Sequence, residues 1–173
     1  MLCGSTLLCL VAVCSDSFMN LGFTGESFKQ EFLDTHNKYR SMHNAGPLRY
    51  NDGMCAKAQE WAEHLLQIQR LQHSGTDDGE NVFYLQGPDL ANVKGNKAVD
   101  SWYSEIKDYD FSSPRFQRGT GHFTQVVWKE TTELGVGVAS RNGMTFVVGQ
   151  YRPAGNINNH GYFDKNVSRK GNI

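Results

Sequence analysis

An α+β layered fold is what this sequence predicts, and three observations predict it. Leu134, Val136 and Val138 alternate with Gly135, Gly137 and Ala139, and a second β-prone run, Met144 to Tyr151, follows. Between them stands Asn142-Gly143, the dipeptide favoured in two-residue type I′ hairpin turns, so the two runs form an antiparallel hairpin. Upstream, apolar residues recur at helical rather than strand spacing, so helices and a hairpin must share one layered core.

Taken in order, residues 26–43 form the first predicted helix. Phe28, Phe32, His36 and Tyr39 recur on one face, and Asn44-Ala45-Gly46-Pro47 ends the run. Asn51 is a suitable N-cap for a second helix, with Cys55, Ala58, Ala62 and Leu65 as its apolar stripe and Trp61 beside it. Asp77-Asp78-Gly79 is a turn, and Asn81 to Leu85 is a short β-prone run. Lys97 to Asp108 is a third helix, because Val99, Trp102, Tyr103 and Ile106 fall at i, i+3, i+4 and i+7. The small residues of the first hairpin strand predict a close approach of another element to that face. Trp128 and Tyr151 are expected in the core.

The 173 residues suffice for one domain with a substantial core. A net charge of −1 leaves no basic footprint, which sets nucleic acid aside as a partner. Three of the four cysteines, Cys3, Cys9 and Cys14, precede the predicted domain; Cys55 stands alone within it and has no partner for an internal disulfide. Residues 1–25 therefore divide from a domain over 26–165 and a polar tail over 166–173. Leu7 to Cys14 is an apolar run too short to span a bilayer. Two readings of it stand side by side. Val13 and Ser15 occupy signal-peptidase positions before Asp16, which would place the protein outside the cell. Alternatively the leader is retained and Cys3, Cys9 and Cys14 are acylated, which would place it on the cytosolic face of the Golgi or another membrane. Leu2 excludes N-myristoylation for this start site. Asn166-Val167-Ser168 is a glycosylation sequon, with Asn166 as the acceptor.

Two stretches carry more specific information. Gly119-Thr120-Gly121-His122-Phe123-Thr124-Gln125-Val126-Val127-Trp128 sets a histidine between a glycine pair and an aromatic. Phe146-Val147-Val148-Gly149-Gln150-Tyr151-Arg152-Pro153-Ala154-Gly155-Asn156 leads an apolar strand into a Pro-x-Gly-Asn turn. Together they resemble the two signatures of the CAP superfamily, which comprises cysteine-rich secretory, antigen 5 and pathogenesis-related 1 proteins. The resemblance covers roughly residues 26–165 and is nearest to the short, disulfide-poor, Golgi-associated members. A cysteine common in secreted relatives is replaced here by Gly149.

The resemblance implies a three-layer α-β-α sandwich with a central antiparallel sheet. It also implies a cleft built from His73, Glu80, Glu105 and His122. Two neutral imidazoles can ligate Zn²⁺ and leave positions for water, so His73 and His122 are the candidate metal ligands. Glu80 and Glu105 are the candidate cleft carboxylates that orient them. Tyr109, Phe111 and Phe116, in a Pro-containing loop, resemble the aromatic loop through which some of these proteins are thought to take up sterols. A homodimer is likewise implied by resemblance alone.

No serine sits in a Gly-x-Ser-x-Gly setting and there is no His-Glu-x-x-His zinc motif. With no nucleophile, the resemblance of the His/Glu set and of the aromatic loop implies a non-catalytic module that binds lipid or sterol, associates with membranes and can hold a divalent metal. The alternatives are a metal-dependent hydrolase or protease in the same cleft, with Glu80 or Glu105 as base, and a secreted signalling module. His36, His43, His64 and His160 lie outside the motif and are expected to be structural or on the surface.

Overall fold

The computed structural model describes residues 17–87 and 93–171. Residues 1–16 of the expected leader, with Cys3, Cys9 and Cys14, lie outside the described residues; its last residues, from Ser17, are helical and continue into α1.

Helix α1 spans Ser17–Met42, and a two-residue strand β1, Arg49–Tyr50, leads into helix α2, Asp52–Ile68. Strand β2, Gly79–Gln86, and helix α3, Asn96–Tyr103, come next. A 3-10 turn, Ser104–Asp108, continues α3 and leads to the short helix α4, Gly121–Val126. Strands β3, Glu133–Arg141, and β4, Met144–Arg152, form the hairpin, and helix α5, Tyr162–Asn166, follows. The sheet order is β1-β3-β4-β2. It is antiparallel across β3, β4 and β2, and β1 adds a two-residue parallel pairing at the edge. At the hairpin tip Asn142 and Gly143 both take positive φ, 52° and 75°, as a type I′ turn requires.

Two apolar layers enclose the sheet, giving the α-β-α sandwich. On one face Ala58, Ala62 and Leu65 of α2 pack on Val82, Ala139, Phe146 and Val148. On the other, Phe28 and Phe32 of α1, Val99 and Trp102 of α3 and Phe123 of α4 cover Leu134, Val136, Val147 and Tyr151. The small residues of β3 explain how α2 comes so close. A Cβ on Gly137 would lie 2.3 Å from the Ala58 backbone, and one on Gly135 would lie 2.6 Å from Met54. Helix backbone thus rests on strand backbone, which only glycine permits.

Three expectations change. The buried stripe of α2 begins at Met54, with Cys55 only half buried, because Met54 is the residue facing Gly135. The third helix tightens into a 3-10 turn after Tyr103, so Glu105 lies on that turn. The sequon also reads differently: Asn166 is fully buried. Its Nδ2 donates to the Tyr162 carbonyl at 3.0 Å, and its Oδ1 accepts the Glu130 amide at 2.9 Å. A glycan on that nitrogen is incompatible with this packing.

His36 and His43 are structural and buried. Each ring donates through Nδ1 to a carbonyl, Phe32 at 2.8 Å and Ser168 at 2.7 Å respectively. Each Nε2 then accepts a phenol proton, from Tyr151 at 2.8 Å and Tyr103 at 2.9 Å. Burial, opposed by the bond to Phe32, pushes the His36 pKa down to about 3, so that ring is neutral. Trp128 and Tyr151 are both fully buried, as expected.

Candidate functional site

The site begins with two carboxylates, each tied to one histidine. Glu80 is the second residue of β2 and pairs with Gln150 of β4. Its side chain is only 4% exposed, so its charge needs internal donors. It has them: Oε1 accepts from His73 Nδ1 and from the Ser74 amide, both at 2.9 Å, and Oε2 accepts from Ser74 Oγ at 2.6 Å. Burial alone would raise the Glu80 pKa, but the bonds from His73 and Ser74 outweigh it and hold the group below its ordinary value. The same bond raises the pKa of His73, with partial burial opposing. The approach to β2 is fixed by a two-point ion pair in which Arg152 donates to both oxygens of Asp78. A Cβ at Gly79 would lie 2.2 Å from Gln125 Oε1, so a larger residue there would displace that amide.

Glu105 holds the second histidine. Oε1 accepts from His122 Nδ1 at 2.7 Å, and Oε2 accepts the backbone amides of His122 and Phe123, each at 3.0 Å. Those two amides open α4 and have no intrahelical acceptor. Thr120, at the N-cap, makes no side-chain cap. Glu105 therefore caps α4 from outside and orients His122 with one carboxylate. The His122 ring lies nearly parallel to Trp102, with centroids 6.2 Å apart.

Asn81 connects the two pairs. It follows Glu80 on β2, and its Nδ2 donates to the His122 carbonyl at 3.1 Å and to Tyr151 Oη at 3.3 Å. A cleft of about 270 Å³ opens beside the first pair, with His73, Glu80, Gln125 and Asn156 in its lining. His122 and Glu105 are not part of that lining. They border it through Asn156, which donates to the Gly121 carbonyl at 2.9 Å and accepts from Thr124 Oγ1 at 2.5 Å.

Each Nδ1 is engaged by a carboxylate, so it carries the ring proton and the Nε2 lone pair is left pointing away. Neither Nε2 has a hydrogen-bond partner among the described residues. This is the carboxylate–histidine arrangement that prepares an imidazole for metal ligation. Among the described residues, no group of three or more His, Cys, Asp or Glu side chains forms a metal site. Both carboxylates already accept several donors, and Ser74 donates to Glu80 rather than to a histidine, so among the described residues Ser74 forms no serine–histidine pair.

The aromatic loop differs from its expected form. Tyr109 is buried and meets Phe111 edge-on at 4.8 Å and Phe123 at 5.6 Å. Phe111 is half buried, with the Arg169 guanidinium 5.3 Å from its ring centre. Gln117 braces the loop by donating to the carbonyls of Asp110 and Ser113. Of the three rings only Phe116 is presented to solvent, at 50% exposure. Tyr109 and Phe111 leave the exposed set because Phe123 offers them apolar surface.

Sequence reasoning missed the amides that assemble the site: Asn81, Gln125, Gln150 and Asn156. Three of them stand inside the two signature stretches, so those stretches were the available signal.

A family model described as CAP, cysteine-rich secretory protein family, matches residues 33–151. The human Golgi-associated plant pathogenesis-related protein 1 is 42% identical over 82% of this chain and 93% of its own length. Pathogenesis-related protein 1 of Arabidopsis thaliana is 35% identical over 75% of this chain and 79% of its own. Among solved structures, that of NaASP2 with Zn²⁺ superposes with a TM-score of 0.65 at 27% identity, over 84% of this chain and 87% of that one.

Proposed function

The chain belongs to the CAP, cysteine-rich secretory protein family, and from that premise we propose that it is a non-catalytic binding module. It takes a divalent cation at His73 and His122 and associates with lipid, a sterol-containing membrane surface, through Phe116. The observation that carries the cation reading is the pair of imidazoles held by carboxylates at Nδ1 with Nε2 free. A solved neighbour contains Zn²⁺, which makes zinc the first ion to test. Zinc at this position would supply positive charge and open coordination positions for an anionic ligand.

The test is calorimetric titration of the chain with zinc. Single His73→Ala and His122→Ala variants are each expected to lower affinity at least tenfold. Undiminished binding in both would overturn the cation reading. Affinity should also fall as pH drops through the His73 pKa, which lies above its ordinary 6.5 because of Glu80, since a protonated ring offers no lone pair.

The membrane reading rests on Phe116, exposed between Arg115 and Arg118, and on a relative that is by name Golgi-associated. An exposed aromatic flanked by cations suits an anionic interface. Among the described residues no helix is long and apolar enough to cross a membrane, so the contact would be peripheral. Co-flotation with phosphatidylcholine–phosphatidylserine–cholesterol vesicles is expected to drop several-fold in Phe116→Ser. The same loss in Tyr109→Ser would reflect only damage to the core. Equal flotation of wild type and Phe116→Ser would remove the loop from the membrane contact.

A further inference from the structure

A pocket of about 480 Å³ lies between the aromatic loop and α5. Pro114 and Arg115 form one wall, and Asn159, His160, Phe163 and Asp164 form the other. The volume falls within the range of small-molecule sites. Arg115, His160 and Asp164 are exposed, so their polar groups are open to a ligand. Arg115 is followed by Phe116, the ring on which the membrane reading rests.

Both walls are firm. Phe163 is buried at the base of the pocket and meets Trp128 edge-on, with centroids 5.0 Å apart. Asn166 ties α5 to the turn before β3, its carbonyl accepting the Lys129 amide at 3.2 Å and its Oδ1 the Glu130 amide at 2.9 Å. On the other side Pro114 stiffens the loop, and Gln117 braces it from the carbonyls of Asp110 and Ser113.

The charges define the ligand. One wall carries a cation and the other an anion, yet Arg115 and Asp164 pair neither with each other nor with any other described residue. Their neighbours are engaged elsewhere. Lys165 pairs with Glu130, and Asp110 Oδ1 accepts the Ser112 amide at 2.8 Å and the Ser112 hydroxyl at 2.6 Å. Unpaired opposite charges on two fixed walls suit a ligand that carries both charges itself. A net anion would meet Asp164 and a net cation would meet Arg115, each at a cost. A guanidinium favours phosphate, which it can engage through two parallel N–H bonds. Asp164 favours a primary ammonium, which can donate to it, over a quaternary one, which cannot. The Asn159 amide and His160 add donors for the remaining phosphate oxygens. Continuity with Phe116 makes a bilayer the source, since a ring inserted at the interface holds this pocket at headgroup level.

We propose that this pocket takes the headgroup of phosphatidylethanolamine, with its phosphate on Arg115 and its ammonium on Asp164. The proposal rests on the membrane reading, and its test separates the two. The chain is floated with vesicles of fixed phosphatidylserine and cholesterol content, the remaining lipid being phosphatidylcholine alone or a mixture with phosphatidylethanolamine. Flotation is expected to rise roughly fivefold or more with phosphatidylethanolamine. Arg115→Gln and Asp164→Asn lie on different elements, and each should lose that gain. The gain is taken as the ratio between the two vesicle types, so a general loss of attraction to phosphatidylserine cancels. Phe116→Ser should float less with both. Without vesicles, the ¹⁵N-labelled chain is titrated with glycerophosphoethanolamine and with glycerophosphocholine. Saturable shifts of the Asn159 side-chain amide and the Arg115 Nε–H are expected with the first only, and Phe116→Ser should keep them.

The proposal is overturned if phosphatidylethanolamine brings no gain, or if the two headgroups shift the same signals equally. A gain that both charge variants keep would also overturn it, because bilayer packing would then be the cause. Flotation with neither vesicle type would sink the membrane reading. Saturable glycerophosphoethanolamine shifts in that case would overturn the lipid source and assign the pocket to a soluble zwitterion.

Discussion

Replacing Arg40 by alanine is expected to cost about 4 kcal/mol or more, a large share of the roughly 5–15 kcal/mol that stabilises a domain. Arg40 is fully buried on α1, and no carboxylate accompanies it among the described residues. Its partners are carbonyls. Nε donates to Gly46 at 2.7 Å, Nη1 to Val126 at 3.0 Å and Trp128 at 2.8 Å, and Nη2 to Thr131 at 2.7 Å. Burial pulls its pKa down to about 10, which leaves it charged at neutral pH. Truncation strands four acceptors from the loop after α1, the end of α4 and the turn before β3, at about 1–3 kcal/mol each before water and relaxation recover part. Arg40→Met should fare little better, since it restores volume without donors. Arg40→Lys should be the mildest, because an ammonium can still reach some of the carbonyls. Urea unfolding of the three variants checks the order. If alanine and lysine cost the same, or if alanine costs under ~1 kcal/mol, the carbonyl cage is not what holds these segments.

This residue marks the limit of what the chain discloses before folding. Period and turn chemistry are local, and they located α1, α2, α3 and the hairpin, with Asn142-Gly143 at its tip. The glycines of β3 forecast a close neighbour, and α2 is that neighbour. Nothing local distinguishes Arg40 from a surface arginine. Its acceptors lie up to 91 positions away, and only tertiary structure brings them together. The candidate site divides the same way. His73, Glu80, Glu105 and His122 were legible through resemblance, whereas their pairing, His73 with Glu80 and His122 with Glu105, emerges from the fold. The aromatic loop was legible as a composition but not as a surface. The same three rings serve a core or an interface, and the presence of Phe123 beneath Tyr109 and Phe111 decides between them.

Glu105→Gln tests whether cleft and fold share one group, and it is expected to damage both. The native carboxylate has two acceptor oxygens for three donors: the ring N–H of His122 and the amides of His122 and Phe123. Glutamine offers one acceptor and one donor, and either orientation fails somewhere. If its NH₂ faces the ring, His122 must present a bare Nδ1 and move its proton to Nε2, which removes the lone pair a metal would use. Zinc affinity should then fall about 10- to 100-fold, the usual effect of losing an orienting partner. If its NH₂ faces α4, the two cap bonds are lost at about 0.5–2 kcal/mol. The ¹⁵N shifts of His122 report the tautomer without metal, amide exchange at Phe123 reports the cap, and zinc titration reports the consequence. Glu105→Ala should show the stability loss together with a ring free to rotate. A glutamine variant with the native tautomer, native Phe123 protection and native zinc affinity would mean that Glu105 neither caps α4 nor sets the ring. The two roles are inseparable in this geometry because the helix that carries His122 starts on the same carboxylate that aims it.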